Sequence, residues 1–438
     1  MAVTDSPAAG RVLVALADGP LVAEPTWTRY DTLTDCRCFG FDSYAGRQSE
    51  LDTTDTGNAR VFFHDQTGVL DDDALVGLQI MLQLYNPVTD AWHIRWRGHI
   101  DDILHDLVDV PGIPLATVSF ECVGIFDYLG GCKMLPGVFG DVAPAGMNGV
   151  VFYEDERVDD RIIALLTDAQ IVTTMRVVFT GNVDVNETLY DTDDVILQGV
   201  RDAADAEFPG VANFYEDRYG RAAFHGRFAR FDPEGTEAGG ANWDFVRWAA
   251  ATREDVTTDV AQVRAFGFNR PRKRIINSYV AYPRADENGV EFDRSLIAGM
   301  VKTDATSITT YGYRGGEAPD LIIKENFNNA NTGAAECELY SDFYVTNYST
   351  IRKSVRDVVF KSIRPGDARA AATWDLMCRA DISDAINLTI DEAELADVPF
   401  FIDGIAVECR PLNSDHDLVT VTPNLTPASY YGTDVFNP

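Results

Sequence analysis

The sequence predicts a β-rich α+β protein of several domains, and three observations carry that expectation. The chain has 438 residues, too many for one core at roughly 150 residues per domain, so about three domains are expected. Both ends read as short strands parted by turn residues. Between them the apolar period becomes helical. With 46% hydrophobic and 11% aromatic residues the chain can bury large cores, and no part has the composition of a disordered segment.

Taken in order, Val12-Leu13-Val14-Ala15-Leu16 opens the strand text, and Cys36 to Tyr44, Ala59 to His64 and Leu78 to Tyr85 continue it. Turn residues such as Asp55-Thr56-Gly57-Asn58 stand between them. In Gln79-Ile80-Met81-Leu82-Gln83-Leu84-Tyr85 the even positions are purely aliphatic and the odd ones are mixed, as in a strand with one buried face. His93 to Ile100 repeats that alternation and Ala116 to Val123 closes the set, which predicts an antiparallel barrel or sandwich. Asp159 to Ala169 and Asp193 to Phe208 have helical spacing, with Asp193-Asp194 where a helix dipole favours negative charge. Asn213 to Tyr215 and Arg221 to Arg227 read as strands around the turn Asp217-Arg218-Tyr219-Gly220. A loop rich in Gly and Glu, Asp232 to Gly240, marks a boundary.

Beyond it, strand text at Val260 to Phe268 and Ile275 to Tyr282 brackets Asn269-Arg270-Pro271-Arg272-Lys273-Arg274. Thr332 to Tyr348 is expected to be a helix capped by Thr332, with Ala335, Leu339, Phe343 and Val345 inward. Val355 to Ile363 is a strand and Asp367 to Cys378 a helix. Asp384 to Ile390, Phe400 to Cys409 and Leu418 to Val421 return to antiparallel strands. No tandem repeat of fixed period is visible.

Charge and motifs exclude more than they select. The net charge of −33, from 69 acidic and 36 basic side chains, disfavours stable attraction to nucleic-acid phosphates. It suits either a salty habitat or a channel along which DNA slides without sticking. Met1 to Gly19 lacks the apolar run of a secretory signal, and no long apolar segment spans a membrane, so synthesis in a cytoplasm is expected. The seven cysteines are scattered, and Cys36-Arg37-Cys38 has no second pair at zinc-ligand spacing, so both thiols are expected reduced and metal-free. His93, His99 and His105, spaced by six, would share one face of a continuous strand yet stand too far apart to share a metal ion. Acidic clusters such as Asp71-Asp72-Asp73 and Asp101-Asp102 read as solvated loops, and Asp191-Thr192-Asp193-Asp194 lacks the glycine and glutamate of a calcium loop. No nucleophile elbow, zinc-protease helix or phosphate-cradling loop occurs. No catalytic residue, cofactor or metal is therefore assigned.

The exception to the acidic field is Arg270, Arg272, Lys273 and Arg274. With Pro271 interrupting any ladder, this is an exposed edge or turn, or a contact with an acidic face of a neighbouring subunit, or, in third place, a DNA contact. The four residues are carried forward as a candidate subunit interface.

Gly46-Arg47-Gln48-Ser49-Glu50-Leu51-Asp52 followed by Thr54 to Val61, and Pro87-Val88-Thr89-Asp90-Ala91-Trp92 leading into Arg97-Gly98-His99-Ile100, resemble the opening domain of minor tail proteins from siphophages of actinobacteria. Asp217-Arg218-Tyr219-Gly220-Arg221, Phe224-His225-Gly226-Arg227, Arg274-Ile275-Ile276-Asn277 and Ala370-Ala371-Ala372-Thr373-Trp374 extend the resemblance over nearly the whole chain. It points to the baseplate-hub, or tail-associated, family of the tail tip. The resemblance implies a multi-domain tail-hub fold: a tube-like β-barrel over 1–150, α+β domains over 151–240 and 241–350, and a second tube-like antiparallel β domain over 351–438. It implies a non-enzymatic homotrimer, made in the host cytoplasm and located at the virion tail tip. There it would contact the distal tail protein, the tape-measure protein and other tip proteins, while genomic DNA passes through its lumen without specific binding. A distal-tail ring protein is the nearest alternative, and a module binding host-envelope carbohydrate through its Trp and Tyr residues is another. Many hub relatives carry long C-terminal extensions, whereas this chain stops at Pro438, so receptor binding or lysis by this subunit is not expected.

Overall fold

The computed structural model describes residues 10–16, 24–32, 36–48, 52–65, 68, 70, 73–110, 113–142, 149–231, 247–251, 260–270, 272–285, 293, 295, 297–324, 335–352, 354–413 and 416–431. The N-terminal β module comprises β1 Gly10–Val14, β2 Thr28–Arg29, β3 Cys36–Gly46, β4 Asp55–Asp65, β5 Gln79–Asn86, β6 Ala91–Val110 and β7 Ile113–Val123, and ends on helix α1, Ile125–Gly131. Alternation drives it: Ala59, Val61 and Phe63 of β4 are buried while Arg60, Phe62 and His64 between them are half-buried. The Phe63 ring lies 4.9 Å from Phe120 of β7. β6 is bulged at Arg95 opposite β5 and at Asp101 opposite β7. Each bulge shifts the alternation by one residue, so a spacing of six no longer keeps His93, His99 and His105 on one face.

An α+β module follows, with β8 Val151–Tyr153, β9 Glu156–Arg157, α2 Val158–Asp168, β10 Arg176–Val178, β11 Asp184–Val185, β12 Thr188–Tyr190, α3 Ile196–Glu207, β13 Asn213–Glu216 and β14 Ala222–His225. Val158, Ile162, Leu165 and Leu166 of α2 and Ile196, Val200 and Ala203 of α3 form the buried stripes that the helical period predicts. Packing is close at Gly199, where a Cβ would come within 2.7 Å of the Met134 methyl and 3.3 Å of Leu165. The expected helix start at Asp193-Asp194 is instead a turn, closed by the Asp191 N–H donating to the Asp194 carboxylate at 2.8 Å.

The chain then returns to the sheet through β15 Arg247–Ala251, β16 Ala261–Gln262 and β17 Ala265–Asn269. It leaves again for β18 Ser278–Pro283, α4 Ile297–Met300, β19 Lys302–Thr303, α5 Ala305–Tyr311, β20 Gly315–Leu321 and α6 Ala335–Tyr348. Helix α6 is apolar on several faces because it is enclosed: Tyr344 stacks on Tyr279 of β18 at 4.2 Å, and Tyr340 and Phe343 pack on Phe208 at 4.3 and 5.0 Å. The expected cap Thr332 lies outside the described residues. The last elements are β21 Ser354–Lys361, α7 Ala370–Arg379, β22 Ala385–Ile390, β23 Leu395–Asn413 and β24 His416–Pro427.

One sheet joins the two ends of the chain. Its order is β16-β15-β22-β23-β3-β4-β7-β6-β5-β1-β2, with β24 on β23, β21 on β24 and β17 on β21. Within it one five-strand topology occurs twice, as β3-β4-β7-β6-β5 and as β17-β21-β24-β23-β22. The match extends to residues. Ile100 opposes Cys122 just before the bulge at Asp101, as Ile402 opposes Leu425 just before the bulge at Asp403. Phe63 opposes Val118 as Phe360 opposes Val421, and Ile80 opposes Gly98 as Ile386 opposes Phe400. Flanking strands differ, since β1 lies antiparallel on β5 and β15 parallel on β22. The cores of the two halves merge into one apolar cluster containing Val61, Phe63 and Leu82 with Phe360, Ile386 and Ile402.

Candidate functional site: the joint between the β modules and the basic turn

The two repeats meet where β3 lies antiparallel on β23, from Gly46 opposite Gly404 to Phe41 opposite Cys409. Glycine is required at its end: Gly46 has φ +97, and a Cβ on Gly404 would stand 2.6 Å from the Arg47 carbonyl oxygen. The Arg47 N–H donates to the Asp403 carbonyl at 2.9 Å. The Arg47 and Arg230 guanidiniums each lie 3.0 Å from Asp403 Oδ1, and all three side chains are at most 3% exposed. Thr426 Oγ1 donates to the other Asp403 oxygen, and Arg47 Nη1 donates to the Gly210 carbonyl at 3.1 Å. Burial alone would raise the Asp403 carboxyl, but the two guanidiniums and the Thr426 hydroxyl hold it below its ordinary value. This triad ties both β modules to the α+β module between them.

Glu216, at the end of β13, fastens the α+β module to the N-terminal repeat. Its carboxylate accepts the Gly57 N–H at 2.7 Å and the Phe126 N–H in the first turn of α1. A Cβ on Gly57 or Gly124 would fall 2.2 or 2.1 Å from that carboxylate, which accounts for both glycines. Burial raises the Glu216 carboxyl to about 7 against the pull of the two N–H donors.

The turn after β13 wedges against β6 and the end of α7. Asp217 accepts the Tyr219 and Arg221 N–H groups at 3.0 and 2.8 Å, and the Gly220 turn, with φ +73, abuts Arg97. Arg218 donates to the Arg379 carbonyl and Arg95, the bulged residue of β6, to the Ala380 carbonyl, so two cations close the C-terminal end of a helix dipole. Burial pushes the Arg95 guanidinium down to about 10, which leaves it charged at neutral pH. Arg227 bridges Glu207 at 3.1 Å and Glu336 at 2.7 Å, joining α3 to α6. Asn277 accepts the Arg314 N–H at 2.8 Å, and Trp374 Nε1 donates to the Ile363 carbonyl at 2.8 Å. The segments that carry the sequence resemblance are thus bracing residues of the fold.

The structure gathers Arg270, Arg272, Lys273 and Arg274 on one turn that follows β17, the last three in a 3-10 turn, with Arg274 half-buried and the other three exposed. Arg272 donates to the Tyr311 carbonyl at 2.6 Å and Arg274 to Ser354 Oγ at 3.1 Å, which orients the turn without covering it. Pro271 lies outside the described residues. The sequence marked this turn but missed the Arg47–Asp403–Arg230 triad and Glu216, whose partners are far apart in the chain. A shallow depression of about 400 Å³ lies over the β3–β23 joint, lined by Asp42, Tyr44, Asn58, Glu408, Thr420 and Thr422 among others.

Among the described residues no group of three His, Cys, Asp or Glu side chains could hold a metal ion, and no helix is long and apolar enough to cross a membrane. Cys122, Cys132 and Cys378 carry free thiols, and the Cys36 side chain lies outside the described residues.

No protein-family model matches the chain, and no curated protein sequence does. Solved structures do match in fold. The tail protein from Neisseria meningitidis MC58 aligns with a TM-score of 0.57 and 10% identity over 97% of this chain and 99% of its own. The 43 kDa tail protein of prophage MuSo2 from Shewanella oneidensis aligns at 0.52 and 8% identity over 97% and 98%. At these identities the likeness is one of fold: the chain has the β-rich fold of these tail proteins over essentially its full length.

Proposed function

We propose that the chain is a structural, non-enzymatic subunit of a phage tail tip. Three copies would form the baseplate-hub ring that closes or continues the tail tube and anchors the distal tail, tape-measure and other tip proteins. One observation carries this reading. Two five-strand modules of the same topology stand in tandem, joined edge to edge by β3 and β23, so three chains supply six similar modules to a sixfold tube. Ring closure also removes the open strand edges that a lone chain presents. The sheet face turned away from the core fits a channel wall for DNA. Its Arg60 is paired with Glu121 at 2.5 Å and its Arg410 with Asp42 at 2.8 Å and Glu408 at 3.3 Å, so these two arginines are opposed by carboxylates and would not hold phosphates. The basic turn, on this reading, offsets repulsion between acidic copies. The resemblance favours a siphophage of actinobacteria.

The alternative, a distal-tail ring, requires six copies of one module each and leaves the tandem pair without a purpose. A tag fused to the chain is expected at the distal end of the tail in images of particles, and a tag along the tube or at the head would overturn the assignment. Purified chain is expected neither to lyse host cell walls nor to bind them saturably. Lysis would make it a hydrolase, and binding a receptor module.

A further inference from the structure

We infer that neighbouring copies are joined by β17 of one chain lying antiparallel on the outer half of β6 of the next, in the register that β3 and β23 use inside the chain. The inference rests on the ring reading above and specifies its joint. Two edges of the repeat are engaged once within the chain. The edge strand β3 of the first module lies on β23 of the second, beyond the stretch that β22 covers. The equivalent of β3 is β17, and the equivalent of β23 is β6. Among the described residues β17 pairs with β21 alone, and β5 pairs with β6 only as far as His99. The coverage ends at the same place in both repeats: the Ile100 N–H donates to the Leu78 carbonyl as the Ile402 N–H donates to the Asp384 carbonyl. From Asp403 onward β3 takes over, and from Asp101 onward no strand among the described residues lies on the matching edge of β6.

Transferring the register names the pairs. Tyr44 opposes Asn58 as Phe268 opposes Val355, which makes Phe268 the counterpart of Tyr44. Inside the chain Tyr44 faces Ala406 and Gly46 faces Gly404. Between chains Phe268 therefore faces Leu104, and Arg270 faces Asp102. Phe268 and Leu104 are large apolar side chains left 45% and 38% exposed, and the joint would cover both. Arg270 and Asp102 are exposed and opposite in charge, where the internal joint ends on two glycines. Asp101 holds the bulge position of Asp403, the carboxylate that Arg47 and Arg230 clamp inside the chain. The basic turn after β17 arrives beside it as Arg47 arrives beside Asp403. The contact is heterologous, head to tail, and closes after three chains.

The test uses the full chain. Oxidation of a Phe268→Cys/Leu104→Cys variant is expected to trap reducible oligomers that end at three chains, while the wild type and a Phe268→Cys/Thr117→Cys variant, whose second thiol lies on the neighbouring strand β7, yield none. Arg270→Asp or Asp102→Arg alone is expected to weaken association roughly tenfold, and the two together to restore it. A wild-type trimer whose double-cysteine variant does not cross-link, and whose charge swap does not rescue, overturns this joint and leaves the ring reading standing. A wild-type hexamer, or a wild-type monomer with no cross-link in the variant, overturns both.

Discussion

At the scale of single residues, buried charge holds the modules together. Asp403 answers two arginines at once, and replacing it with asparagine leaves them buried beside a neutral amide. Loss of one member of a buried pair costs about 3–5 kcal/mol, so Asp403→Asn is expected to lower stability by that order in urea unfolding; a loss under about 1 kcal/mol would mean the triad is relaxed or wet. Glu216 makes the second prediction. Its carboxyl is raised by burial from 4.5 to about 7, so the native state keeps a proton that the unfolded chain releases. Its contribution is complete below about pH 4.5 and is lost as pH rises through about 7. Asp205 and Asp217, raised by burial to about 7 and about 6, act in the same direction. Thermal stability should fall between about pH 5 and about pH 7.5, and Glu216→Gln should flatten that fall; an unchanged slope would remove Glu216 from the account. None of this was legible in the sequence. Arg47 and Asp403 are 356 residues apart, and spacing along a chain carries no information about such a meeting.

At the scale of elements, local pattern was a good guide where burial is one-sided. The aliphatic face of β5, with Ile80, Leu82 and Leu84, and the apolar stripes of α2 and α3 fall where the sequence put them, since each has a face on a core. Pattern fell short where a bulge or a second packing surface intervened: the bulges in β6 break its two-residue period, and α6, expected as a helix with Phe343 and Val345 inward, also buries Tyr340 and Tyr344 on further faces. The resemblance implied two tube-like β domains, but the residues themselves showed no repeat. Its two copies are parted by the α+β modules, their flanking strands differ, and the plainest shared text is Ile100-Asp101-Asp102-Ile103 against Ile402-Asp403-Gly404-Ile405. The basic turn, by contrast, was visible as charge and lies exposed. An exposed turn contributes little to a core, so Arg272→Glu/Arg274→Glu is expected to change unfolding stability by under about 1 kcal/mol while abolishing incorporation into tails. Normal tails from the double variant would show that the turn takes no part in assembly.

At the scale of the whole molecule, tandem duplication is the property from which the functional reading follows. On the proposed reading a chain with one module would need six copies to match a sixfold tube, whereas this chain carries two modules of one topology joined through β3 and β23. The net charge of −33 opposes close approach of copies and of DNA alike, so contact between copies is expected where that charge is locally offset, as at the basic turn of Arg270, Arg272, Lys273 and Arg274. The most direct measurement is a reconstruction of the tail tip in which this chain is counted and its sheet traced. Three copies, contributing six modules around a lumen without a basic lining, are the expected result; six copies, or a lumen lined with arginine and lysine, would contradict the hub assignment.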